Sequence, residues 1–192
     1  ITYYKSLQMP SSKGKKRAKD GGTDKRKGGK RADISSAGTK RLLKGAAANK
    51  AGPKVRVSQK AADQGQEACQ KLIRDLARSI NKTMALGDRQ TIQKKHVIAA
   101  CEAVAPHCVS GAENAIQSNK GTRSDISDEG VRRQAKQAGL KYRMTEGAKT
   151  ALRGAVEAYI RSLGQNAGCI VKASKRSTVK DRDIEAVMCT MK

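Results

Sequence analysis

Residues 56–104 open with RVSQKAADQGQEACQKLIRDLARSI and close with RQTIQKKHVIAACEAV, and the same plan returns 87 residues later across 143–191. The two stretches overlay without a gap. Arg56 meets Arg143, Ser58 meets Thr145, Ala61 meets Ala148 and Ala68 meets Ala155. Ile73-Arg74 meets Ile160-Arg161, Leu76 meets Leu163, and Arg89 to Ile92 meets Arg176 to Val179. Internal repetition decides architecture before any local signal does. Two copies do not make a solenoid; they predict a fused pair of like domains.

Composition narrows what those domains can be. Trp and Phe are absent and Tyr occurs four times, so Ala, Leu, Ile and Val must fill any core. Two separate globules of about 50 residues would be marginal alone, and packing the copies on each other cures that. The formal charge is +24. Residues 1–33 hold eleven Lys/Arg against three Asp, so +16 remains on the rest of the chain. A folded body that basic repels itself unless it meets a polyanion, and nucleic acid is the expected one rather than an anionic membrane. No apolar run approaches the ~20 residues of a membrane span. The five cysteines (Cys69, Cys101, Cys108, Cys169, Cys189) show no CxxC spacing, and neither His96 nor His107 completes a zinc pattern. Three of the cysteines sit on apparent apolar helix faces and read as small buried hydrophobes in a reducing compartment, with no metal or other cofactor expected. No secretory signal is visible, and because the chain starts at Ile1, an initiator Met and further residues are expected to precede it.

In order, residues 1–33 read as a disordered basic tail whose Gly and like charge prevent a packed core. Residues 34–104 form the first fold. Ser35 or Ser36 caps a short helix to about Ala47, and Asn49 to Pro53 breaks it. Lys54 to Ser58 is a loop, and Ser58 caps a long helix to about Leu86. Ala61, Ala68, Leu72, Ile73, Leu76, Ile80 and Met84 follow helical spacing there. At ~1.5 Å per residue that helix is on the order of 40 Å long, and with a narrow apolar stripe it needs a partner helix lying across it. Arg89 to Ile92 forms a second loop, and a third helix runs from Thr91 to about Ala103. Residues 105–126 are a connector with one or two helical turns over Val109–Gln117. Residues 127–192 repeat the plan: a short helix from Ser127, a loop over Lys141–Thr145, a long helix carrying Ala148, Leu152, Ala155, Tyr159, Ile160, Leu163, Ala167 and Ile170, a loop over Lys175–Val179, and a last helix.

Short helix, loop, long helix, loop, short helix resembles the histone fold. The second half is similar to core histone three at Val131-Arg132, Ala135, Arg143, Ala148, Ala151-Leu152, Ala155, Glu157-Ala158-Tyr159, Lys175-Arg176, Thr178 and Asp183-Ile184. The first half resembles histone four at Lys27 to Lys30, Arg31 to Ile34, Arg41-Leu42 and Val55 to Ser58, although its Pro106 segment is nearer histone two-B. The whole chain resembles the fused histone doublets of the marseillevirus group of giant DNA viruses. Two departures stand out. The extra helix that precedes the histone-three fold is absent or reduced to Val109–Gln117, and His96 replaces the family's third-helix Asp, which the second half keeps as Asp183.

The resemblance implies an all-α fold in which two tandem histone folds pair as an intramolecular handshake, their long helices antiparallel. It places Arg56 near Arg176 and Arg143 near Arg89, with each loop pair and the joined starts of the first helices facing a phosphate backbone. Arg56, Arg143, Arg89 and Arg176 are the expected minor-groove or phosphate arginines. Thr91 and Thr178 brace them, and Arg41, Lys54, Arg132 and Lys175 are expected phosphate contacts. Arg176 is also expected to bridge to Asp183, and Tyr159 to belong to the core. Self-association with a second copy is expected through the histone three-like half at Cys169, Asp183, Val187 and Met188, and a histone two-B–two-A doublet is the further implied partner. The expected function is structural packaging of double-stranded DNA without base specificity, in nucleosome-like particles of a virion, host nucleus or viral factory. The alternatives are a histone-fold transcription regulator and an archaeal-type tandem histone. Aromatic poverty speaks against single-strand or RNA recognition. No nucleophile–base pair, metal cluster or phosphate loop points to an enzyme.

Overall fold

The computed structural model describes residues 34–87, 90–118 and 124–191. The basic tail of residues 1–33 lies outside them, as does Arg89. Helix α1 spans Ser36–Ala51, and Ser35 caps it by accepting the Gly38 N–H. It runs four residues past Ala47, because the chain reaches a residue that tolerates the stop only at Gly52, at φ 94°. Strand β1 is Arg56–Val57 and α2 is Gln59–Leu86, capped by Ser58 through the Ala61 N–H at 3.1 Å. Strand β2 is Thr91–Ile92 and α3 is Lys94–Val104. The expectation that the third helix starts at Thr91 is therefore corrected: Thr91 and Ile92 are drawn into a strand by a partner in the other half.

A single 3-10 turn, Pro106–Cys108, leads into α4, Val109–Gln117. The second half supplies α5 (Asp128–Gln137), β3 (Arg143–Met144), α6 (Glu146–Ala173), β4 (Thr178–Val179) and α7 (Asp181–Thr190). Ser127 and Thr145 cap α5 and α6 as Ser35 and Ser58 cap α1 and α2.

The halves interlock rather than sit side by side. β1 pairs in parallel with β4 and β2 with β3, so each two-stranded ribbon takes one strand from each half. One core cluster runs through both copies, and Ile73, Leu76, Ile80 and Met84 of α2 are buried together with Leu152, Ile160, Leu163 and Val171 of α6. The described residues form one compact unit.

With no Trp or Phe in the chain, close approach takes the place of bulk. Gly164 and Gly168 of α6 lie against α1. A Cβ on Gly164 would sit 2.8 Å from the Leu43 carbonyl oxygen, and one on Gly168 would sit 2.8 Å from that of Ala47. Helix α4 meets α6 in the same way at Gly111 and Gly154. The segment read as a connector is therefore packed on the body: Cys108, Ala112 and Ile126 are all buried.

Candidate nucleic-acid interface

Each ribbon gathers a first loop of one half and a second loop of the other. At one end Arg56 is in register with Thr178: its N–H donates to the Ser177 carbonyl at 2.8 Å, and the Ser58 N–H donates to that of Val179 at 3.1 Å. At the other end Thr91 is in register with Arg143, and the Thr145 N–H donates to the Ile92 carbonyl at 3.0 Å. Alternation along an extended chain sends neighbours to opposite faces. Val57, Val179 and Ile92 are buried, while Arg56, Thr91 and Arg143 are exposed. Helix N-termini converge there as well, those of α2 and α7 at one ribbon and α3 and α6 at the other, and their amides carry partial positive charge.

Arg176 is held differently. Its guanidinium donates to both carboxylate oxygens of Asp183, at 2.8 and 3.1 Å. Asp183 is 3% exposed and also accepts the Lys180 N–H at 2.8 Å. Burial pushes the Asp183 carboxyl up, but the hydrogen bonds from Arg176 and Lys180 outweigh it, and the net position lies below the usual carboxylate value. Arg176 is raised by the same bond. In the first half the equivalent bond to the start of the third helix is made by an imidazole: the Gln93 N–H donates to His96 Nδ1 at 3.2 Å. Lys175, next to Arg176, is exposed and has φ 51°, the only positive φ among the described non-glycine residues.

The two short first helices start side by side. Gly38 of α1 packs against the Asp125 carbonyl, and Arg41 is paired with the Asp125 carboxylate at 2.7 Å. Arg132 pairs with Glu129 at 2.7 Å, and Glu129 also takes Lys149 at 2.8 Å. Both expected phosphate contacts on these helices thus carry an acidic partner, whereas Lys54, Arg56 and Arg143 have none among the described residues. The Glu129–Arg132 spacing of three on one helix is visible in sequence. The Arg41–Asp125 pair is not, because it joins the two halves. Of the expected self-association residues, Cys169 is exposed and Met188 half-buried, while Asp183 and Val187 are buried within the chain's own fold. Tyr159 packs partly buried against the core, 5.9 Å from the His107 ring, and burial pushes its hydroxyl up to about 12. Burial raises Cys101 and Cys108 to about 12 as well. Among the described residues no cluster of His, Cys, Asp and Glu could hold a metal ion, and no helix is long and apolar enough to cross a membrane.

Three comparisons bear on this geometry. The family model for the core histone domain, which takes in histones two-A, two-B, three and four, matches residues 112–190, from inside α4 to the end of α7. No curated protein sequence matches the chain. Among solved structures, the histone from Methanopyrus kandleri is similar at 20% identity with a TM-score of 0.63, over 82% of this chain and 95% of that one. A superposition of that extent is longer than either repeat, so it takes in both. The chain thus has the histone fold, built twice and paired with itself.

Proposed function

We propose that this protein packages double-stranded DNA without reading its bases, as a fused histone doublet. The observation that carries the reading is the pairing of β1 with β4 and β2 with β3. It sets an exposed arginine and a threonine side by side at each of the two ribbons, in a chain of charge +24. Paired loops of this kind grip phosphates by charge, hydroxyls and main-chain N–H groups. An arginine at each can enter the minor groove wherever it turns inward, every ~10 base pairs. Arg56 and Arg143 are the arginines for that work, with Arg89 assigned to the same role from the repeat. Thr91 and Thr178 flank them, and Lys54, Lys175, Arg41 and Arg132 supply phosphate contacts. Arg176 acts mainly as the brace of its loop through Asp183 while facing the same backbone.

The finer assignment follows the resemblance. The first half is histone four-like and the second histone three-like, with α4 as the remnant of the helix that precedes the histone-three fold; the core histone match over residues 112–190 supports the histone reading of the second half. A second copy would dock on the histone three-like half near Cys169 and Met188. A histone two-B–two-A type doublet would complete a particle compacting a viral genome, in a virion, host nucleus or viral factory. We assign no catalytic step.

Nuclease digestion of complexes on random-sequence DNA tests the reading. It predicts protection of a discrete length on any sequence, with affinity falling steeply with salt. Arg143→Ala should leave helicity intact and lower the slope of log K against log salt by about one. One preferred site with a shallow salt dependence would instead indicate a promoter-binding regulator.

A further inference from the structure

The outward stripe of α2 carries four exposed cations that the loop pairs do not use: Lys71, Arg74, Arg78 and Lys82. Their spacing of three, four and four keeps them on one helix face, about 16 Å from first to last. Arg78 pairs with Asp75 at 3.1 Å, and the other three have no acidic partner among the described residues. Mid-stripe, Arg74 lines a cleft of about 170 Å³ between α2 and α5, together with Gln70, Gln134 and Gln137. Gln134 is 9% exposed, and its side-chain carbonyl has no hydrogen-bond partner. A turned amide there would offer N–H donors beside the Arg74 guanidinium, a donor set that suits an anionic oxygen. At the stripe's end Asn81 donates to the Gly139 carbonyl at 2.8 Å and accepts the Lys141 N–H at 3.2 Å, which ties it to the α5–β3 loop.

What this stripe meets is decided by the repeat. A duplex that follows both ribbons meets the two paired loops alike, so its ribbon contacts recur: Arg56 with Arg143, Thr91 with Thr178. The stripe does not recur. Its counterparts 87 residues on are Ala158, Arg161, Gln165 and Cys169. Ala158 is covered by α4 at Gly111, and Arg161 turns to Glu157 at 3.4 Å. We infer that the α2 stripe, with the Arg74–Gln134 cleft at its centre, binds the phosphate backbone of a second DNA duplex and so links packaged segments. A stripe of this length spans roughly four phosphates of one strand.

The inference rests on the packaging reading, and one experiment separates them. The full chain and a fourfold variant, Lys71→Gln, Arg74→Gln, Arg78→Gln and Lys82→Gln, are each bound to a biotinylated duplex on beads and offered a fluorescent second duplex. Gln keeps helix propensity near that of Lys and Arg, so α2 is retained. The variant should protect the same length of a single duplex from nuclease and capture roughly tenfold less of the second, since several phosphate contacts are lost. A variant keeping charge, Lys71→Arg and Lys82→Arg, should capture as the wild type does. Unchanged capture by the fourfold variant would overturn the inference and leave the packaging reading standing. A shortened protected length would overturn it by placing the stripe on the first duplex. Self-association without DNA that the variant abolishes would overturn it in favour of a copy's acidic cleft at Asp63, Glu67 and Asp181. A wild-type chain that protects no discrete length removes both readings.

Discussion

Lys175 sits where a glycine would sit more easily. Its φ of 51° follows the end of α6, where its own N–H closes on the Lys172 carbonyl at 3.1 Å and the Arg176 N–H on that of Val171 at 3.0 Å. A left-handed residue at this position of a helix stop is usually glycine, and a side chain there costs on the order of 1 kcal/mol. Strain kept beside an expected binding site is a sign of use. Lys175→Gly should therefore raise the urea midpoint while lowering DNA affinity; a loss of both would show that the cation serves the fold. The neighbouring Arg176–Asp183 pair makes the opposite trade. Because the folded carboxyl of Asp183 lies below its unfolded value, its contribution is complete above the ordinary carboxylate range and disappears as pH falls through the lower folded value. Asp183→Asn should cost about 2–3 kcal/mol near neutral pH, the usual weight of a charge-assisted bond, and should flatten that acid limb in denaturant titrations. The arginine and its aspartate were legible in sequence, because both lie in one loop and helix start. The positive φ was not, because nothing in a lysine announces it.

At the scale of elements, side-chain pattern located the rods and the capping hydroxyls located their starts. Ser35, Ser58, Ser127 and Thr145 each cap the helix that follows them. Two things escaped. Strands of two residues carry no period of their own, so Thr91 and Ile92 look like a helix start until a partner strand is present. Glycines also read as breakers, while here Gly164 and Gly168 are contact points between α6 and α1. The difference is testable within one pair of helices. Gly164→Ala forces a methyl toward the Leu43 backbone and should destabilise by roughly 1–3 kcal/mol. Gly45→Ala, on the open side of α1 with nothing within 4 Å, should stabilise by about 0.5–1 kcal/mol. Thermal melts of the two single mutants should move in opposite directions. A parallel shift would mean that α1 does not lie against α6 as described.

For the whole molecule, the question is what covalent fusion does. Neither half has a closed core: the stripe of α2 is buried with α6, and each ribbon borrows a strand. A half on its own would expose that stripe, and a chain of that size has little else to bury. Joining the halves holds each at an effective concentration of about the millimolar range for the other. The intact chain should therefore unfold in one transition that does not move with protein concentration. A protease site placed between Ser118 and Ser124, then cut, converts pairing into a bimolecular step, and the melting temperature of the nicked protein should fall on dilution. At micromolar protein, about a thousandfold below the linked state, the loss is roughly 4 kcal/mol by mass action. The packed turn and α4 add a complication, because Gly111 and Ala115 stay with the first piece and dock on α6 of the second. The cut pieces should thus still find each other, and mixing them should restore helicity that neither shows alone. If each piece folded separately with a concentration-independent melt, the halves would be two finished domains on a string. The paired ribbons, and the DNA path drawn through them, would then have no support.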